Sequence, residues 1–133
     1  MINLNIKIEG VDKINLNVEL KSILDESANF LLGRVLSRFM SETSPDGTPW
    51  IPSKAGMARK LKGKGGTLYD TGRLYHSIQV YSDGDERRIS TNAPYAEKMS
   101  SGGGKLPPRP FMGFSDEDFS LVNALVASRL SIL

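Results

Sequence analysis

The 133-residue sequence contains no cysteine, which excludes disulfides, thiol catalysis and every thiolate-bound metal. It has a single histidine, His76, so no histidine cluster can assemble within one chain, and a lone strand-face histidine is ordinarily packed or hydrogen-bonded. No apolar run approaches the roughly 20 residues that cross a bilayer, so no membrane partner is expected. The opening Met1-Ile2-Asn3-Leu4 lacks the basic stretch and apolar block of a secretory signal, and synthesis in the cytoplasm is the expectation. The net charge of +2 is too small to characterise the chain as a whole. With 39% hydrophobic and 24% charged residues the composition is that of a globular protein, and the length suits one core. A single domain over 1–133 is expected.

What the chain does have is a local excess of cations. Between Ile51 and Tyr69 stand Lys54, Arg59, Lys60, Lys62 and Lys64 with no acid among them. A lysine-rich solvated loop is the simplest account; contact with an acidic protein surface or with passing DNA is the functional one. The segment Lys62-Gly63-Lys64-Gly65-Gly66 offers nothing to anchor a core and predicts a mobile loop over about 55–67. A second glycine-rich stretch containing Lys105 predicts another over about 99–106. All six cations are candidate interface residues, on segments expected to order when they dock.

Ile2, Leu4, Ile6 and Ile8 alternate with polar residues, the period of a strand, and Gly10 closes it. Residues 12–20 are ambiguous, since Ile14, Leu16, Val18 and Leu20 also alternate; helix from about Asp12 or Leu16 is preferred. From Leu20 the spacing is helical, with Leu20, Ile23, Leu24, Ala28, Leu31, Val35 and Phe39 on one stripe and Arg34 and Arg38 mostly off it. Leu32, Leu36 and Met40 widen that stripe. Leu74, His76, Ile78 and Val80 alternate, and Asp83-Gly84 separates them from Arg87–Thr91, which predicts a β-hairpin. Ser115 followed by Asp116, Glu117 and Asp118 is a helix start, and Phe119, Val122, Leu125, Val126, Leu130 and Leu133 would form its apolar side. The result is an α+β fold: a long N-terminal helix packed on a small, mainly antiparallel sheet, with a C-terminal helix completing the core.

The most distinctive stretches are built from turn formers. Pro45, Asp46 and Gly47 break the long helix, and Asp70 and Gly72 repeat the device, each aspartate able to accept from backbone amides. Trp50 and Phe111 are large enough to lock loops onto a core. Arg73 and Arg109 are candidates for buried or interfacial charge-assisted bonds, with Asp70 or a neighbouring subunit's acid as partner, although either could be an ordinary surface arginine. Pro94, Tyr95 and Pro110 fix the path of the remaining segments.

Four of these stretches occur in order: Ser44-Pro45-Asp46-Gly47-Thr48-Pro49-Trp50, Leu68-Tyr69-Asp70-Thr71-Gly72-Arg73-Leu74-Tyr75-His76-Ser77-Ile78, Asn92-Ala93-Pro94-Tyr95-Ala96 and Leu106-Pro107-Pro108-Arg109-Pro110-Phe111-Met112-Gly113. Together they resemble the phage virion morphogenesis family, the tail-completion proteins of Mu-like phages and prophages. The resemblance spans roughly Phe39 to Phe114 and departs from the family pattern at Glu97-Lys98-Met99-Ser100-Ser101. It implies a virion protein that completes the tail or the head-to-tail junction. It also implies a ring of identical subunits, a hexamer being favoured, that contacts tail tube, sheath or connector proteins.

Competing chemistries are weaker. Asp70-Thr71-Gly72 matches the aspartic-protease signature, but Arg73 beside a carboxylate dyad would favour the doubly ionised form, and such a site works with one proton held between two carboxylates. Lys62–Thr67 lacks the spacing of a phosphate-binding loop. A nucleic-acid-binding module using residues 54–64 is the main alternative, with few aromatics for base stacking. No catalytic residue, cofactor or metal is expected.

Overall fold

The computed structural model describes residues 2–7 and 18–131. The order is β1 (Ile2–Lys7), α1 (Val18–Ser41), α2 (Lys54–Leu61), α3 (Arg73–Ser77), β2 (Gln79–Asp83), β3 (Glu86–Thr91), α4 (Ala96–Ser101) and α5 (Asp116–Leu130). The strands form one antiparallel sheet in the order β1-β3-β2, with Ile2 opposite Thr91 and Val80 opposite Ile89. This is the expected α+β architecture. The proposed strand end at Ile8 and Gly10, and the choice between helix and strand over 12–17, lie outside the described residues; Val18–Leu20 are helical.

Helix α1 forms because its apolar residues recur every three or four positions. Leu24, Ala28, Leu31, Val35 and Phe39 are buried in one cluster with Ile89 of β3, Leu74, Ile78, Trp50 and Phe111. Phe39 is the hub: its ring centroid lies 5.9 Å from Trp50, 5.6 Å from Tyr75 and 5.3 Å from Phe111. Leu32 and Leu36 pack against the cluster, whereas Met40 is 69% exposed.

Three expectations are corrected. The alternation from Leu74 to Val80 is not one strand: residues 73–77 are α3, and the strand begins at Gln79. The reason is that Leu74 and Ile78 are buried while His76 is exposed, and a four-residue spacing is one helical turn. Gly72 opens that turn, its carbonyl accepting from the His76 amide at 2.8 Å. The glycine-rich loops, second, are partly helical. Residues 54–61 are α2, capped by the Ser53 hydroxyl, which accepts from the Gly56 amide at 2.9 Å. Arg59 then folds the following turn back by donating to the carbonyls of Gly66 and Thr67. Helix α4 runs to Ser101, and Gly103 and Leu106 exchange backbone bonds of 3.0 and 2.9 Å.

The third correction concerns α5. Val122 packs on the core, yet Phe119 is 48% and Leu130 43% exposed, and the helix's one buried residue is a carboxylate, Asp118. Leu133 lies outside the described residues.

Candidate functional site

The break after α1 is a closed turn. The Gly47 amide donates to the Ser44 carbonyl at 2.9 Å, the Thr48 amide to Asp46 Oδ1 at 3.0 Å, and Gly47 takes φ +90°. This turn delivers Trp50 to the core, where its Nε1 donates to the Pro110 carbonyl at 2.8 Å. Arg109 returns the contact, its Nε donating to the Ile51 carbonyl at 2.6 Å. Two segments 60 residues apart are thus tied by two bonds running in opposite directions, over a floor formed by Phe111, which is fully buried. The prolines of both segments, with Trp50 and Ile51, line a shallow groove of about 530 Å³. Ile51 stands 60% exposed at this groove.

Beyond Pro45 the same turn forms one wall of a larger cleft, about 680 Å³, whose other wall is Phe114 and the start of α5. Asp118 lies beneath it. Its carboxylate accepts from Arg34 Nε at 2.6 Å, from Arg38 Nη2, and from the Ser115 amide at 2.9 Å, while the Ser115 hydroxyl accepts from the Asp118 amide at 3.0 Å. Burial pushes the Asp118 carboxyl up, but the Ser115 amide and the guanidiniums of Arg38 and Arg34 outweigh it, and the pKa falls below the ordinary aspartate value. Arg38 also donates to the Gly113 carbonyl at 2.9 Å. Helix α5 is therefore pinned to α1 by a buried ionic junction, and farther along by an exposed one between Arg129 and Glu26.

The remaining expected residues divide. Gly72 adopts φ +85°, as a turn position requires, but Asp70 is exposed and Thr71 Oγ1, not Asp70, accepts the Arg73 amide at 3.3 Å. Asp70-Thr71-Gly72 leads straight into α3. Arg73 is exposed and no ion pair joins it to Asp70 among the described residues. Arg109 is buried as proposed, but on a backbone carbonyl instead of an acid. Tyr95 packs against the core while Pro94 is exposed; with Arg59, Asp70 and Arg73, Tyr95 lines a separate pocket of about 250 Å³.

Of the cations, Arg59 is spent on backbone carbonyls and Lys60 pairs with Glu42, which also accepts from the Thr67 amide at 2.8 Å. Lys54, Lys62, Lys64 and Lys105 are exposed. Among the described residues no group of three or more acids or histidines could hold a metal ion, and no helix is long and apolar enough to cross a membrane.

The Arg34–Arg38–Asp118 junction was missed by the sequence reading. Its signal was present: two arginines four residues apart beside an apolar stripe, and an acid three residues after a capping serine. Met57 and Leu61, 54% and 91% exposed on α2, were hidden inside the supposed loop.

In comparison with known proteins, the phage virion morphogenesis family model matches residues 11–131. No curated protein and no solved structure matches the chain.

Proposed function

Because the chain belongs to the phage virion morphogenesis family, with a structural role in assembling phage particles, we propose that it completes the tail or the head-to-tail junction. In this reading it acts as a ring of identical subunits, a hexamer being favoured, that contacts tail tube, sheath or connector proteins in the tail or neck of the virion.

One observation carries the reading. The Pro45–Ile51 turn and the Arg109–Phe111 segment are locked together over a buried floor, while Ile51 at the groove and Met57 and Leu61 on α2 remain exposed. A rigid surface that leaves large apolar side chains in water is what an assembly subunit needs before its neighbours arrive. The proline-lined groove at Ile51 suits another protein's apolar side chains better than a reacting substrate, since no titratable group except Asp46 lines it.

The test is electron microscopy of particles made without the protein. Unjoined heads and defective tails are the expected products; normal virions would end the proposal. Lys54, Lys62 and Lys64 leave the nucleic-acid reading a cationic surface. Duplex binding that weakens steeply with salt, and that is lost when Lys62 and Lys64 become alanine, would favour it instead.

A further inference from the structure

Helix α2 is attached in an unusual way. Its only buried residue is Gly56, packed against the backbone of Thr67, and it is otherwise held by the Ser53 cap, Arg59 and the Lys60–Glu42 pair. Met57 and Leu61, four residues apart and so on one face, take part in none of these bonds and are 54% and 91% exposed. Around them are Lys54, Lys62 and Lys64, with no acid in the segment. The exposed face is thus an apolar pair with a cationic border.

The cleft beyond Pro45 has the opposite character. Its apolar wall is Phe114, extended by Phe119, whose ring packs against Phe114 at 5.7 Å and is 48% exposed. At its rim are Asp46, Asp116 and Glu117, all exposed. The arginines in the cleft, Arg34 and Arg38, share Asp118 below it, and Arg34 also reaches Glu117 at 3.4 Å, so the four acids at and beneath the cleft outnumber its two arginines.

From this complementarity we infer that the α2 face of one copy docks in the Phe114 cleft of a second copy, Leu61 and Met57 against the aromatic wall and the lysines against the acidic rim. The contact joins two different surfaces, so it repeats from copy to copy and closes into a ring when the rotation allows. It rests on the ring reading above and gives that reading a defined interface.

The test uses the purified full chain, with mass measured by sedimentation across its soluble concentration range. Wild type forms species larger than a dimer that weaken as salt rises, because exposed charge pairs are screened. Leu61→Asp and Asp116→Lys alter exposed side chains, so each keeps the wild-type circular dichroism while associating at least about tenfold more weakly. Mixed together they give a dimer and nothing larger, because one intact face and one intact cleft remain between them. Wild type that stays monomeric or stops at a dimer, Leu61→Asp with unchanged mass, or a mixture that does not pair would each overturn the inference. The particle assay separates the two proposals. If Leu61→Asp self-associates normally and virions still require the protein, this contact is wrong and the assembly role stands; if virions form without the protein, the role is wrong whatever the mass shows.

Discussion

Helices α1 and α5 lie together and are held in place by different physics. Helix α1 buries a continuous stripe from Leu20 to Phe39 and shares its core with the sheet and the aromatic cluster. Helix α5 buries one residue, the carboxylate of Asp118, and leaves Phe119, Leu121 and Leu130 substantially exposed. The first is fixed by area removed from water, which tolerates small errors of shape. The second is fixed by a junction that works only when every donor and acceptor is present. One element is a foundation, and the other is a clasped attachment whose outer side faces solvent.

That contrast can be broken or sharpened experimentally. Phe111→Ala removes the floor under both tied segments and is expected to cost about 3–5 kcal/mol in denaturant unfolding, lowering the stability of the whole domain. Asp118→Asn leaves Arg38 without its anion and Arg34 with only the exposed Glu117, and is expected to cost about 3 kcal/mol. Here the loss is local: hydrogen exchange should quicken in α5 while the amides of α1 stay protected. If α1 exchanged equally fast, the distinction between the two helices would fail.

The same carboxylate sets an acid limit. Its pKa is lower folded than unfolded, so its stabilisation is complete above the unfolded value and disappears as pH falls below about 4 and through the folded value. Glu42, where burial pushes up but Lys60 and the Thr67 amide pull down further, acts in the same direction. Acid titration of wild type should show α5 loosening first, and Asp118→Asn should flatten the profile. Trp50→Phe keeps most of the aromatic packing but removes the bond to Pro110, an expected cost of about 1 kcal/mol by thermal melting. Glu26→Gln, at the half-exposed pair with Arg129, should leave the melting curve where it is.

The parts of the fold legible in sequence are those where one period governs burial. The α1 stripe is such a case, as is the Asp83-Gly84 hairpin turn, and the capping serine of α5 marked its helix start correctly. Leu74–Val80 failed because a short apolar run satisfies a strand period and a single helical turn equally well. The stretch 54–61 is not legible as a helix from its composition: Ser53 starts a helix whose stability depends on contacts with Glu42 and residues 66–67, none visible locally. Arg38 failed for the same reason, since its partner is 80 residues away. At the candidate site the turns and the anchors Trp50 and Phe111 were readable as types. Their mutual attachment was not, because each half is completed by a distant segment.

The reciprocal bonds between the Trp50 turn and Pro110 have a kinetic consequence. They close a loop of 60 residues, and closures of such long range are slow steps in folding. During synthesis the tryptophan leaves the ribosome well before its acceptor does. The groove beside Ile51 is therefore finished only after the segment through Pro110 has emerged, well after α1 and the turn at Trp50.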